Sequence, residues 1–84
     1  MTGPRPAPGI DFRVVDGELV AFDGERLHHL DAAATAVWTL LDGRTPESAL
    51  VATLAARYGV PPERMAVDVA TLLASLAERG LVER

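Results

Sequence analysis

The feature that most constrains this chain is a pair of Asp-Gly dipeptides, Asp16-Gly17 and Asp23-Gly24, each flanked by short β-prone runs. Tight hairpin loops need positive φ at their central positions, and Asp-Gly adopts it at low steric cost. The spacing predicts a three-stranded antiparallel meander over about Asp11–Val15, Glu18–Phe22 and Glu25–Leu30. With two-residue loops at both turns, Val14 falls opposite Leu19 and Leu19 opposite His28, with Phe12, Ala21 and Leu30 on the same face. That face reads as the inner one. The other carries Arg13, Val15, Glu18, Val20, Glu25, Leu27 and His29, a mixture suited to partial exposure. A longer loop at either turn would change the pairing.

Helix signals follow. Asp31 reads as an N-cap, with Ala32–Leu41 behind it and a stop at Asp42-Gly43. Val37, Trp38 and Leu41 share one stripe. Thr45-Pro46-Glu47 combines a capping hydroxyl, a proline where no N–H is missed and an acid at the positive end of the helix dipole. A second helix is expected over Pro46–Tyr58, burying Leu50, Leu54 and Tyr58 and ending at Gly59. Pro61-Pro62-Glu63 opens a third, about Pro62–Arg79, with Met65, Val69, Leu72, Leu73 and Leu76 facing the core and Gly80 as the stop. Leu81 and Val82 are expected to fold back over its end. The result is an α+β domain: a three-stranded antiparallel meander followed by three helices, winged helix-turn-helix-like, with the strands placed before the helices.

At 84 residues, 49% of them hydrophobic, the chain is long enough for one core and too short for two. Residues 10–84 read as the domain. Residues 1–9, with three prolines and two glycines, read as a flexible tail. There is no apolar run of signal-peptide or membrane-span length, so a cytoplasmic protein is expected. The net charge is −4, and the positive charge is all arginine, scattered singly. Nucleic-acid binding rests on clustered cations, which this balance does not offer.

Residues for chemistry are equally sparse. The chain has no cysteine, so no disulfide, thiolate metal site or thiol nucleophile is available. His28 and His29 are adjacent, so on a strand they point to opposite faces and cannot grip one metal ion. His28 reads as a half-buried, hydrogen-bonded histidine and His29 as solvated. Asp11, Asp16, Asp23, Asp31 and Asp42 fall at turns or caps, where a short acceptor satisfies backbone donors. Ser48 and Ser75 sit on expected helices, away from any nucleophile elbow. No catalytic residue, metal or cofactor is assigned, and the chain reads as non-enzymatic.

The third strand carries the functional content. As a sheet edge it presents unpaired N–H and C=O groups from about Arg26 to Leu30, guarded only by Arg26 and with Leu27 exposed beside it. An extended peptide adding as a strand would satisfy those groups. A plain edge, covered by the third helix or by a second copy, is the competing reading.

The run His29-Leu30-Asp31, then Ala36-Val37-Trp38, Leu40-Leu41-Asp42-Gly43, Thr45-Pro46-Glu47, Leu54, Tyr58-Gly59-Val60, Asp68-Val69, Leu72-Leu73, Leu76 and Gly80-Leu81-Val82 resembles the PqqD-like family of peptide chaperones. These are recognition elements of pathways that make ribosomally synthesised, post-translationally modified peptides (RiPPs). The resemblance covers about Leu19 to Val82. It implies that a precursor's leader peptide adds as a fourth strand beside strand three and lies against helix three. Carried onto this sequence, the peptide-binding residues are Arg26, Leu27, His28, His29 and Leu30, with Arg64, Asp68, Thr71, Leu72 and Ser75 on the facing helix. Backbone groups of Leu27 to Leu30 would form the ladder. Leu72, with Met65 and the aliphatic part of Thr71, would line an apolar pocket. Arg64 and Asp68 would read charge at the rim, Asp68 alternatively serving as a structural acceptor. Two departures stand out: Pro61 replaces a frequent capping residue, which would shift the start of helix three, and His28 stands where an aromatic is frequent.

The partners so implied are the precursor leader and a modifying enzyme, such as a radical SAM enzyme or a leader peptidase. Two rival readings remain. A DNA-binding winged helix would need cations on the third helix, yet Pro62–Arg79 sets Arg64 and Arg79 against Glu63, Asp68 and Glu78. A dimerising module would pair its own edge across a two-fold axis, so both a monomer and an edge-paired homodimer are open.

Overall fold

The structure is a computed structural model and describes residues 2–84. Its elements are β1 (Arg5–Pro6), β2 (Asp11–Val15), β3 (Glu18–Phe22), β4 (Leu27–Leu30), α1 (Ala32–Trp38), α2 (Glu47–Tyr58), α3 (Pro62–Glu78) and β5 (Val82–Glu83). β2, β3 and β4 form the expected antiparallel meander in that order, and β1 pairs with β5 in a separate ladder.

The first turn is the two-residue loop the sequence calls for. Asp16 and Gly17 have φ of 52° and 79°, and Val15 pairs with Glu18. The second turn is longer, because Phe22 pairs with Leu27 and leaves Asp23–Arg26 as the loop. Asp23 is the cause. Its Oδ1 accepts from the N–H groups of Glu25 and Arg26 at 2.8 and 2.7 Å, and its own N–H donates to the Arg26 carbonyl at 3.2 Å. Leu19 consequently faces Leu30 rather than His28. Side chains alternate with a period of two, so a two-residue slide moves the register and keeps the faces. Leu19, Ala21 and Leu30 are buried on the inner face as expected.

β2 departs from that pattern: all five of its residues are exposed. Phe12, although on the inner face, is 56% exposed and meets the Trp38 ring edge-on at 5.8 Å between centroids.

The Asp31 carboxylate caps α1 by accepting from Ala34 N–H at 2.9 Å. α1 ends at Trp38 rather than Leu41, as Leu40 and Leu41 turn more tightly onto the Val37 and Trp38 carbonyls. Asp42 gathers the N–H groups of Arg44 and Thr45 together with the Thr45 hydroxyl. That hydroxyl is therefore not a cap for α2, whose N-cap is Pro46 with no side-chain bond. α2 buries Leu50, Val51, Leu54 and Ala55, while Tyr58 is exposed rather than part of the core. α3 starts at Pro62, so Pro61 shifts nothing, and it buries Met65, Val69, Leu73 and Leu76.

Leu81 and Val82 fold back and are buried. Val82 and Glu83 pair with Pro6 and Arg5, so the segment expected to be a free tail is tied down, apart from Met1, which lies outside the described residues. The prolines lack N–H groups, but their neighbours supply them. Gly3 N–H donates to Gly43 O, Gly43 N–H to Pro4 O and Ala7 N–H to Leu81 O, and an Arg5–Glu83 ion pair closes the ladder at 2.8 Å. Among the described residues, no helix is long and apolar enough to cross a membrane.

Candidate peptide-binding site

β4 has one sheet neighbour, β3, and its other side is open. A strand residue directs its N–H and C=O to the same side, alternating along the strand. Val15–Glu18 closes the first hairpin, so Glu18, Val20 and Phe22 bond toward β2, and Leu19 and Ala21 toward β4. A contact at the ladder's end agrees with this: Leu19 N–H donates to Thr35 Oγ1 at 2.9 Å, and that hydroxyl donates to Leu30 O at 3.2 Å. By the same alternation His28 and Leu30 bond inward to β3. The main-chain groups of Leu27 and His29 then face the open edge.

An apolar cavity of about 380 Å³ lies among the helices. Ala32 and Ala33 at the start of α1, Val37, Leu54 and Tyr58 of α2, Val60, and Met65, Asp68, Val69 and Leu72 of α3 line it. The chain passes from buried Leu30 through Asp31 into this wall, so the C-terminal end of β4 leads to the cavity through the start of α1. β2 is the sheet's other edge strand, and all five of its residues are exposed.

At the opposite end of β4, His28 is largely buried and bonded at both ring nitrogens. Nε2 lies 2.9 Å from Asp23 Oδ2, and Nδ1 lies 3.3 Å from Arg79 Nε. Guanidinium Nε–H can only donate, so Nδ1 is the acceptor and Nε2–H donates to Asp23. The Arg26 N–H above all, then His28 and the Glu25 N–H, hold the Asp23 carboxyl well below the usual carboxylate range.

The expected site residues are not all brought together. Arg26 lies in the loop before β4, with both its backbone groups engaged by Asp23. Leu27 is 73% exposed, and its side chain lies on the outer face with Phe22, away from α3. His29 is exposed on that face and pairs with Glu18 at 3.0 Å. Leu30 is core. On α3, Leu72 is half-buried and Asp68 exposed at the cavity wall, while Arg64, Thr71 and Ser75 are exposed and outside the lining. Asp68 accepts no hydrogen bond from the described residues. Arg79, the C-cap of α3, was not among the expected site residues, although its spacing from Asp68, Leu72 and Ser75 puts all four along one side of the helix.

The three-stranded meander, the three helices after it and the edge strand β4 define a small α+β domain of winged-helix-like layout. The profile described as "Coenzyme PQQ synthesis protein D (PqqD)" matches residues 18–82, and the chain belongs to that family. It is 34% identical over 83 residues to the bifunctional coenzyme PQQ synthesis protein C/D of Methylorubrum extorquens, covering 96% of this chain but 22% of that longer protein. The solution NMR structure of the PqqD truncation of Methylobacterium extorquens PqqCD superposes with a TM-score of 0.81 at 32% identity, covering 96% of this chain and 88% of that one. That truncation is described as a functional, stand-alone RiPP recognition element. TbiB1, solved in complex with the TbiA(beta) leader peptide, shares the fold at a TM-score of 0.84 and 23% identity, with 94% of each chain covered.

Proposed function

We propose that this chain binds the leader region of a ribosomally synthesised precursor peptide as an added strand on β4 against α3. It then delivers the peptide to a modifying enzyme, such as a radical SAM enzyme, or to a leader peptidase. The chain itself supplies recognition and no catalysis. The observation that carries this reading is that β4 has no strand on its outer side and leads through Asp31 into α1, whose first residues line an apolar cavity walled by α1, α2 and α3. Strand addition gives affinity through main-chain bonds, and the cavity selects an apolar side chain. The leader-bound relative and the stand-alone recognition element support the same use here. The relative that carries a matching domain within a longer synthesis protein supports delivery to an enzyme.

The test uses labelled leader segments of short precursors encoded beside the gene, read by fluorescence anisotropy. His29→Pro removes an outward-facing N–H and leaves the β3–β4 bonds in place, since proline is tolerated on an edge strand. Binding by the native chain and its loss in this folded variant is the expected result. Equal affinity in both would rule out strand addition at β4.

A further inference from the structure

Among the described residues, Arg79, the C-cap of α3, is the charged side chain at that helix that hydrogen-bonds a β4 residue. Its Nε donates to His28 Nδ1, which leaves the two terminal amino groups uncommitted. Among the described residues, no carboxylate lies within ion-pair distance of that guanidinium. Asp23, the nearest acid in the chain of contacts, is occupied by His28 and two backbone N–H groups. A half-buried guanidinium anchored at one nitrogen, with its remaining donors free, is matched to a carboxylate brought in from outside.

Register says where that carboxylate comes from. Directly opposed strand residues place their side chains on the same face. A guest residue opposite His28 therefore points inward, toward His28 and Arg79, and one opposite Leu30 points inward at the end of β4 that leads into α1, where Ala32 and Ala33 line the apolar cavity. The two are separated by one outward-facing residue, whichever way the guest runs. An added strand sits about 4.8 Å from β4, within reach of an arginine already 3.3 Å from His28.

We propose that Arg79, positioned by the Asp23–His28 pair, is a specificity determinant that selects an acidic side chain on the bound peptide two residues from its apolar anchor. This rests on the strand-addition reading given above and names what that site prefers.

A displayed library of randomised twelve-residue peptides, selected on the full chain, tests it. The native chain is expected to enrich Asp or Glu at a spacing of two from a large apolar residue. Arg79→Gln should lose that preference and weaken a selected acidic peptide about tenfold, and Arg79→Glu should select Lys or Arg at the same position. Circular dichroism of each variant checks the fold, and Arg79→Lys, which retains the charge, should keep the acidic preference. Identical charge preferences in the native, Gln and Glu selections, with the apolar anchor retained, would overturn the role of Arg79 and leave strand addition standing. Enrichment of no peptide by the native chain would overturn both.

Discussion

The backbone N–H of Leu19 donates to the hydroxyl of Thr35, joining the middle strand of the sheet to α1 where the β3–β4 ladder runs out. The same hydroxyl donates to the Leu30 carbonyl, so one side chain closes the end of the strand on which the site is built. Thr35→Val keeps the shape and strands both backbone groups in a buried setting. A loss of about 1–3 kcal/mol is expected, read as a melting point lower by about 4–8 °C per kcal/mol in a domain of this size. An unchanged melting point would mean that these groups find other partners.

Amide exchange gives a direct view of the edge. In the free chain, the N–H groups of Leu27 and His29 should exchange quickly, and those of His28 and Leu30 slowly. On addition of a leader peptide, Leu27 and His29 should gain protection of about tenfold or more while His28 changes little. Protection gained in β2 instead would place the guest on the opposite side of the sheet.

Leu72 is half-buried at the wall of the apolar cavity. Leu72→Glu brings a charge into the apolar cavity and, on the proposed reading, should weaken peptide binding at least about tenfold, or about 1.4 kcal/mol. The helical circular dichroism should persist. Leu27→Glu acts on the other face, next to Phe22, and should weaken binding only through the guest's outward-facing side chains.

Gly3 lies against the turn that leads into α2, where a β-carbon would stand 2.0 Å from the Thr45 carbonyl oxygen. Gly3→Ala should force the segment away, releasing the bonds to Gly43 and loosening the β1–β5 ladder. A loss of about 1–3 kcal/mol is expected, with peptide affinity unaltered. Calorimetry and anisotropy on one variant measure both.

Asp23 and Asp42 titrate lower in the folded chain than as free carboxyls. The N–H of Thr45, then the N–H of Arg44 and the Thr45 hydroxyl, act on Asp42 as Arg26, His28 and Glu25 act on Asp23. A depressed carboxyl contributes stability that is complete above its unfolded value of about 3.9 and is lost as pH falls through the folded value. Denaturant midpoints should be level above about pH 5 and decline below it. Asp23→Asn should shrink that decline, and an equally steep decline in the variant would remove Asp23 as a contributor.

Much of this architecture was legible because local chemistry dictates it. The first Asp-Gly turn, the Asp31 cap, the Pro62 start and the buried α3 stripe each depend on neighbouring residues alone. The second Asp-Gly looked equivalent, but the Asp23 side chain captured two following N–H groups and lengthened the loop, which moved Leu19 from His28 to Leu30. Face assignments survived because the slide was by two. Tyr58 and Arg79 depend on how helices and sheet meet, which periodicity does not encode. The binding of Arg5–Pro6 to Val82–Glu83 joins opposite ends of the sequence and leaves no short-range signal.

That clasp has a mechanical meaning. A polypeptide spliced onto either extremity would leave from the β1–β5 seam, whose bonds run to Gly43 and Leu81 and not to β4. Tension arriving through such a connection would first load the seam, whose main-chain bonds are separate from those of β4.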